Sequence, residues 1–342
     1  MRDHGFQALR VGRVIRETAD TSSFVLDVPP ELSDEFAYDA GQFLTFRVCP
    51  NGEPVLRCYS MSSSPAVDPE LKVTVKRVPG GVVSNWMNDT LTPGHLLEVT
   101  YPAGVFCLGS GTHDLVAFGA GSGITPVLSI IKSALATTSR RVRLLYANRD
   151  RESVIFDTEL DALLGKYSDR FEVVHHLDVE QGLVDGEEVR GFVAVDGGAD
   201  YYVCGPGPFM DIVEKTLLGH DVDAARIHIE RFAPLELAEA PAATTNPAGA
   251  TIAIEFAGRR ETAAHRPGTT ILQMARQLGL SPPYSCEAGS CATCMAKVVE
   301  GGATMRANNA LTPDEVEDGW VLTCQAVPTT PSLRVIYGYE EE

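Results

Sequence analysis

The chain has 342 residues, of which 44% are hydrophobic and 22% are charged, and its formal net charge at pH 7 is −18. This length exceeds what one ordinary hydrophobic core uses, so two or three domains are expected. The acidic balance argues against a nucleic-acid partner, because phosphates attract basic surfaces, and it favours solubility alone or docking to a basic partner.

No apolar run is long enough to span a bilayer, so we expect no membrane attachment. The first residues, MRDHGFQALRVGRV, contain no apolar stretch of the kind that a secretory signal carries. We therefore expect the protein in the cytoplasm. Thiols stay reduced there, and clustered cysteines more often bind metal than form disulfides.

Residues 1–110 contain several short segments in which apolar residues alternate with polar or small ones, the period of a half-buried strand. These segments are SFVLDV, GQFLTFRV and LKVTVKRV. Several short strands in so few residues predict an antiparallel β-barrel or sandwich. We predict that GGVVS opens a helix, with Ser84 as its N-cap.

Residues 111–235 alternate between strand and helix patterns, which predicts a parallel sheet with crossover helices. The first helix is expected to have Thr125 as N-cap and Pro126 at its first position. On the strand FEVVHHL, the neighbours His175 and His176 face opposite ways, which makes a paired ligand role improbable. The predicted strands are LVAFGA, VRLLYANR, FEVVHHL, DYYVCG and RIHIERF, and the predicted helices are TPVLSIIKSAL, IFDTELDALLGKY and PFMDIVEKTLL.

Residues 236–250 are rich in Ala, Pro and Thr and have no periodicity, so they read as a linker. A third, small domain follows over residues 251–342. It is predicted to begin with a hairpin around Gly258, followed by a helix that ends at Gly279. In LTPDEVEDGW, Thr312 and Pro313 stand in the order of an N-cap and a first helical residue.

Three cysteines of this last segment, Cys286, Cys291 and Cys294, follow the spacing C-x4-C-x2-C. This is the ligand run of plant-type [2Fe–2S] clusters, which needs a distant fourth cysteine, here Cys324. Gly289 allows the sharp turn that the wrap requires. Four cysteines also suit zinc, but zinc ribbons pair two short knuckles, whereas here three ligands stand together. Residues 250–338 resemble the plant-type ferredoxins, which implies a β-grasp fold.

The motif RCYS, together with GQFLTF before it and VKRVPGGVVSNW after it, resembles the ferredoxin–NADP reductase-like family. The resemblance implies that Arg57 pairs with a flavin phosphate, that Tyr59 packs on the flavin and that Ser60 lies near its reactive N5 edge. Guanidinium suits phosphate, and a phenol covers an apolar ring. Gly81 permits close backbone approach, and a helix start can hold a pyrophosphate, which favours FAD over FMN. The plainer alternative is a surface turn with an ordinary cap.

The loop GAGSGITP and the segment CGPGPFM each follow a predicted parallel strand, where open α/β sheets bind ligands. The same resemblance implies that both bind the nicotinamide nucleotide. Cys204 is then expected near the reactive nicotinamide carbon and Thr125 near the flavin. Phe232 is expected either to cover the other flavin face or to lie in the core. Cys49, Cys58 and Cys107 are expected to be plain buried small residues, with Cys58 beside the flavin through its neighbours.

The full set of predicted site residues follows from these motifs. We expect Ser60, Thr125 and Cys204 to position the nicotinamide for hydride transfer. The expected cofactor-binding residues are Arg57, Cys58, Tyr59, Ser60, Val75, Lys76, Gly81, Val82, Val83, Ser84, Gly119, Gly121, Ser122, Gly123, Thr125, Asn148, Arg149, Cys204, Gly205, Pro206, Gly207 and Phe232.

The choice between NADH and NADPH depends on YANRDRES. Arg149 and Arg151 suit a 2′-phosphate, whereas Asp150 opposes one, so NADH is the expected donor and NADPH the alternative.

The order of flavin barrel, nucleotide domain and ferredoxin resembles the reductase components of multicomponent bacterial oxygenases. The resemblance implies electron flow from NADH through FAD and [2Fe–2S] to a terminal oxygenase. That oxygenase is expected to be a Rieske-type 3-ketosteroid 9α-hydroxylase or, as the alternative, to act on phenylacetyl-CoA or an aromatic ring with NADPH. A self-contained oxidase or quinone reductase, and a zinc-stapled binding protein, are the other classes that the residues leave open.

Overall fold

The computed structural model describes residues 6–52, 54–193, 198–232, 250–280, 282–284, 289, 292–308 and 310–339. Its first unit is an antiparallel six-stranded sheet in the order β4-β3-β6-β1-β2-β5. A bridge between Met61 and Val73 joins the end of β4 to β5 and closes the sheet into a barrel. The strands are β1 (Gln7–Thr18), β2 (Thr21–Asp27), β3 (Phe43–Val48), β4 (Val55–Ser60), β5 (Leu71–Lys76) and β6 (Leu96–Val99), and helix α1 spans Val82–Thr90.

The barrel follows the predicted strands and adds three that the sequence patterns did not single out, β1, β4 and β6. RCYS forms the end of β4. The prediction that Ser84 caps α1 is wrong. The helix begins at Val82, so Ser84 lies in its first turn, where its Oγ accepts a hydrogen bond from Val78 N at 3.1 Å. Gly81 occupies the N-cap position.

The second unit is a parallel five-stranded sheet in the order β11-β10-β7-β8-β9. Its strand and helix alternation is the one predicted, with α4 and α5 as additions. Apolar clusters pack on both faces of the sheet, as a doubly covered parallel sheet requires. The elements are β7 (Leu115–Ala120), α2 (Ile124–Thr137), β8 (Val142–Asn148), α3 (Asp157–Lys166), β9 (Phe171–Leu177), α4 (Asp178–Gln181), α5 (Gly186–Val193), β10 (Asp200–Cys204), α6 (Gly207–Leu218) and β11 (Ile227–Glu230).

The start of α2 differs from the prediction. A 3₁₀ turn over Gly121–Gly123 runs directly into the helix, so α2 begins at Ile124 rather than after Thr125. Thr125 is therefore inside the first turn, and its Oγ1 donates to Ser122 O at 3.0 Å instead of capping. Pro126 is the third helical residue, which is tolerated because the first N–H groups of a helix have no intrahelical acceptor.

The third unit is a mixed sheet in the order β13-β12-β18-β14-β16, with β15 and β17 paired beside it. Helix α7 packs Ile271, Met274 and Ala275 into its core, which gives the expected β-grasp arrangement. Gly258 forms the hairpin turn, as predicted. Helix α7 ends at Gln277, two residues before the predicted Gly279, and both glycines have positive φ. The elements are β12 (Thr251–Phe256), β13 (Arg259–Ala264), α7 (Ile271–Gln277), β14 (Met295–Glu300), β15 (Ala303–Met305), α8 (Pro313–Glu317), β16 (Trp320–Leu322), β17 (Ala326–Pro328) and β18 (Ser332–Ile336).

Of the other local predictions, some are confirmed and some are wrong. Thr312 caps α8 through a capping box with Glu315, as expected. The cysteine prediction is wrong for Cys49, which is exposed, and only partly right for Cys58 and Cys107, which are half-buried. Phe232 is 44% exposed, so it is not a core aromatic. Among the described residues, no helix is long and apolar enough to cross a bilayer.

Candidate functional site

The carboxyl ends of β7, β8 and β10 meet at one edge of the parallel sheet. Gly119 and Cys204 are paired residues on β7 and β10, so the two predicted nucleotide loops start side by side. A Cβ on Gly123 would lie 2.2 Å from Cys204 O, and one on Gly205 would lie 2.8 Å from Ala120 Cβ. Glycine at positions 123 and 205 therefore lets the two loops pack directly on each other. Ser122 lies between the glycines of the first loop, and Pro206 and Gly207 start α6 in the second.

Tyr146, which the sequence patterns did not single out, is hydrogen-bonded to the first nucleotide loop, GAGSGITP. Its buried phenol donates to Gly121 O at 3.3 Å and accepts from Ile155 N at 3.2 Å. Burial raises the pKa of Tyr146, so the phenol stays neutral and keeps its proton for the loop. The only available signal was a tyrosine inside the apolar run VRLLYAN.

Asn148 ends β8 at the same edge and is 4% exposed. Within the described part of the chain, the Tyr146 phenol interacts with this amide, but neither the amide nitrogen nor the amide oxygen has a hydrogen-bond partner of good geometry. Leaving such a group unsatisfied costs about 1–3 kcal/mol. An amide that both donates and accepts, beside two glycine loops, fits a nicotinamide nucleotide as its missing partner.

Arg149 and Arg151 are both paired with acids. Arg149 Nε lies 2.7 Å from Asp150 Oδ2, and Arg151 lies 2.7 Å from Asp157 Oδ1. Asp150 also accepts from Ser153 N at 2.9 Å and so fixes the turn. Because Asp150 partly neutralises Arg149, the turn offers a 2′-phosphate less positive charge than its two arginines suggest.

Cys204 is fully buried at the end of β10 and is paired with Glu230 on β11. Burial, and then the Glu230 carboxylate, raise the pKa of the Cys204 thiol well above its ordinary value. The thiol therefore stays protonated and uncharged near neutral pH. Thr125, 3% exposed and bonded back to Ser122, closes the same corner of the loop.

The barrel contributes residues from β4, β5 and α1. Tyr59 packs edge-on against Phe46, with 5.5 Å between ring centroids, and burial raises its pKa. Ser60 is 3% exposed, while the exposed Arg57 donates to Leu56 O at 2.7 Å. Lys76 Nζ, 3.9 Å from Asp20 Oδ2, would lie 3.8 Å from a Cβ on Gly121. The end of β5 thus reaches the first nucleotide loop.

The start of α1 forms a tight turn. A Cβ on Gly81 would lie 2.7 Å from Ser84 Oγ and 3.0 Å from Val78 O. Asn85, not singled out in the sequence, donates to Gly81 O at 2.6 Å and to Val78 O at 3.1 Å. Val78 and Val82 are about half exposed there, whereas Val75 and Val83 are buried in the barrel. A compact turn before a helix start fits a phosphate-bearing cofactor.

Two of the four predicted cluster ligands are described, and the structure brings them together. Cys294 and Cys324 are 2% and 6% exposed and belong to one apolar cluster. Thr323 donates to Cys294 O at 2.8 Å and accepts from Tyr337 Oη at 2.8 Å. Burial raises the pKa of Tyr337, and both thiols act on it in the same direction. Cys286 and Cys291 lie outside the described residues.

Gly289 has φ of +77°, and a Cβ there would lie 2.6 Å from Ala307 O. The sharp turn predicted for the cysteine loop is therefore present at this residue. A tight turn and two buried thiols in one apolar cluster fit a thiolate-held cluster.

Three family descriptions match successive parts of the chain: an oxidoreductase FAD-binding domain over residues 8–107, an oxidoreductase NAD-binding domain over 118–215 and a 2Fe-2S iron-sulfur cluster binding domain over 254–329. They bear out the predicted cofactors FAD, NADH and [2Fe–2S].

Relatives and solved structures extend over nearly the whole chain. The ferredoxin reductase component of 3-ketosteroid-9-alpha-monooxygenase from Rhodococcus rhodochrous is 43% identical over 97% of each chain. A component of the 1,2-phenylacetyl-CoA epoxidase from Escherichia coli K12 is 33% identical over 96% of this chain and 97% of its own. Phthalate dioxygenase reductase, described as a modular structure for electron transfer from pyridine nucleotides to [2Fe-2S], is 26% identical with a TM-score of 0.61, covering 97% and 98% of the two chains.

Proposed function

Because this chain belongs to the family of oxidoreductases that join FAD-binding, NAD-binding and 2Fe-2S domains as reductase components of multicomponent oxygenases, we propose that it serves a 3-ketosteroid 9α-hydroxylating monooxygenase. The single observation that carries the steroid assignment is the 43% identity to the Rhodococcus reductase over 97% of both chains. Partners of such a reductase are a nicotinamide nucleotide and a terminal oxygenase, here one with a Rieske-type centre.

The proposed sites follow the geometry. FAD would be held by Arg57, Cys58, Tyr59, Ser60, Val75, Lys76 and Phe232 and by the helix start Gly81, Val82, Val83 and Ser84. NADH would be held by the loops around Gly121 and Gly205, with Asn148 and Arg149 at the sheet edge. The cluster would be held by Cys286, Cys291, Cys294 and Cys324. When bound, FAD supplies the conversion between a two-electron hydride donor and a one-electron cluster.

The chain itself orients these groups. The neutral Cys204 thiol would present no charge to a nicotinamide ring, and the buried Thr125 and Ser60 would line the approach from the loop and from the barrel. Hydride transfer needs no general base, which agrees with the uncharged character of Cys204. Lys76 lies close enough to Gly121 to counter phosphate charge in the cleft between barrel and sheet.

We further propose domain limits at 1–110, 111–235 and 251–342, with 236–250 as linker, and a cytoplasmic location. Among the described cysteines none forms a disulfide, which suits a reducing compartment.

Anaerobic titration of the purified protein with NADH and with NADPH, followed by optical and EPR spectra, tests the electron route. We expect flavin bleaching and an EPR signal from the reduced cluster, with NADH faster than NADPH. A cluster that stays oxidised would refute the route, and equal rates with both nucleotides would refute the NADH preference. Rapid oxygen turnover in the absence of a partner would instead favour a self-contained oxidase.

The second candidate is service to a phenylacetyl-CoA epoxidase, supported by 33% identity over 96% of this chain. Reconstitution with each terminal oxygenase separates the two. We expect turnover of a 3-ketosteroid with the steroid oxygenase to exceed turnover of phenylacetyl-CoA with the epoxidase, and the reverse order would favour the second candidate.

A further inference from the structure

Among the described residues, a threonine pair joins the third unit to the barrel. Thr293, which directly precedes the predicted ligand Cys294, has its Oγ1 3.4 Å from Oγ1 of Thr45 on β3. These two residues are separated by 248 positions in the chain. The chain at Thr293, next to Cys294, therefore lies against the flavin-binding barrel.

Thr45 faces away from the barrel interior. Its neighbours Leu44 and Phe46 belong to the barrel core, and side chains on a strand alternate between faces. An outward threonine of an isolated barrel is expected to meet solvent, yet the exposed fraction of Thr45 is zero. Thr293 of the third unit is one of the residues in contact with it, so this outer face is an interface between units.

The barrel side of the interface is Thr45 of β3, the strand that pairs with the RCYS strand β4. Thr45 pairs with Cys58 across β3 and β4, and their Oγ1 and Sγ atoms are 3.4 Å apart. In the chain, Cys58 stands between Arg57 and Tyr59, the residues proposed for FAD. Thr293 thus contacts Thr45, and the cross-strand partner of Thr45 is Cys58, which adjoins both Arg57 and Tyr59 in the chain.

The loop side is held firmly. Thr323 bonds to Cys294 O through both its N–H, at 3.2 Å, and its hydroxyl, at 2.8 Å. Tyr337 in turn donates to the Thr323 hydroxyl at 2.8 Å. Thr293 directly precedes Cys294, whose backbone is fixed by these bonds. A contact that holds the Thr293 side chain therefore also holds Cys294 in place.

We propose that Thr45 and Thr293 are positioning residues. Their contact seats the chain at Cys294 on strand β3 of the barrel, where Cys58 of the neighbouring RCYS strand β4 packs against Thr45. The proposal rests on the electron route proposed above. It adds the contact that sets the distance between the FAD site and the cluster site. A looser seat lengthens the average separation of the two sites without altering either site.

The test uses the full chain loaded with FAD and cluster and compares Thr45→Val and Thr293→Val with wild type. The matched control is Thr304→Val, a threonine of β15 in the same unit whose backbone pairs with Val327. Rapid mixing with NADH follows cluster reduction, and ferricyanide, which accepts electrons from the flavin directly, follows the flavin alone. Hydrogen exchange of the amides of β3 and β4 reports the contact itself.

We expect both seat variants to slow cluster reduction by up to about tenfold, equivalent to ~1.4 kcal/mol, and to exchange faster at β3 and β4. Ferricyanide reduction should stay at the wild-type rate, and Thr45→Ser, which keeps the hydroxyl, should restore cluster reduction. If Thr293→Val impairs iron incorporation, Thr45→Val decides alone, because it leaves the ligand loop unchanged.

The proposed seat would be refuted if Thr45→Val and Thr293→Val showed the same rate of cluster reduction and the same hydrogen exchange at β3 and β4 as Thr304→Val. A wild-type cluster that NADH does not reduce would instead overturn the proposed electron route, and the exchange measurement would still decide the seat.

Discussion

Lys132 Nζ on α2 lies 2.5 Å from Oδ2 of Asp68 in the barrel, and the lysine side chain is 4% exposed. Lys132 also forms an ion pair with Glu159 of α3. Beside it, Ser129 Oγ donates to Ser63 O at 2.6 Å. This polar patch fixes the barrel against the parallel sheet.

Replacing Lys132 by Met is expected to weaken this patch, because Asp68 loses its ion pair with Lys132 and Glu159 keeps only its ion pair with Lys72. Breaking a fully buried pair costs about 3–5 kcal/mol, and since both carboxylates are partly exposed we expect about 1–3 kcal/mol. Thermal unfolding should show a clear fall in Tm. Lys215→Met, at an exposed position of α6, is the control and should stay within about 0.5 kcal/mol of wild type. Equal Tm values for the two variants would contradict the role of the patch.

Gly123→Ala should separate the two nucleotide loops, because its Cβ would lie 2.2 Å from Cys204 O and 2.4 Å from Cys204 C. The clash is with backbone, so relief requires a loop shift that costs about 1–3 kcal/mol. We expect NADH affinity to fall by about tenfold, measured by fluorescence titration, with FAD retained. The control Gly165→Ala has open space and should bind NADH normally. Normal NADH affinity in Gly123→Ala would show that the loops need not touch.

Gly289 and Gly279 form a matched pair for the cysteine loop. Both have a positive φ, of +77° and +74°, but a Cβ at 289 meets Ala307 O at 2.6 Å whereas a Cβ at 279 meets open space. Alanine at either position bears the left-handed strain of roughly 1 kcal/mol, and only Gly289→Ala adds the clash. We expect iron content per chain to fall in Gly289→Ala and to stay near wild type in Gly279→Ala. A similar iron content in both variants would exclude the clash as the cause.

Asp150→Asn should raise the use of NADPH. Asparagine is as good a cap as aspartate, so the turn to Ser153 is retained while Arg149 loses its acidic partner. Removing one nearby unit charge at an exposed site is worth about 1 kcal/mol or somewhat more, so kcat/KM for NADPH should rise by about tenfold. The value for NADH serves as the internal control. If kcat/KM rose equally for NADPH and NADH, the effect would not arise from the 2′-phosphate, and the prediction would be wrong.

His176 should make stability depend on pH. Burial alone lowers its pKa, but the hydrogen bond to Gly182 O at 2.7 Å and the Glu188 carboxylate at 2.6 Å outweigh burial and raise it. With the folded pKa raised, the stabilisation is fully present below the unfolded value of about 6.5 and disappears as pH rises through the folded pKa. The Tm difference between wild type and His176→Gln should therefore be larger at low pH than at high pH. A constant difference would argue against a charged His176.

Local sequence patterns by themselves determined much of the secondary structure and the cofactors of this protein. Alternating apolar residues predicted three barrel strands, and the strand and helix alternation predicted the parallel sheet, because side-chain periodicity follows directly from strand and helix geometry. The cysteine spacing and the RCYS and CGPGPFM motifs indicated the cofactors. Helix starts were predicted less well. Ser84 and Thr125 have side chains that can cap a helix, but each helix begins before the predicted cap, at Val82 and at Ile124.

Relationships between distant parts of the chain were decided only by the tertiary structure. Tyr146 supports the glycine loop, Lys132 joins α2 to the barrel, and Thr293 meets Thr45. None of these residues stands out in the sequence, because a tyrosine in an apolar strand, a lysine in a helix and a threonine in a loop are ordinary there. Their roles depend on which surfaces face each other once the three units pack, and that is set by long-range burial rather than by any local pattern.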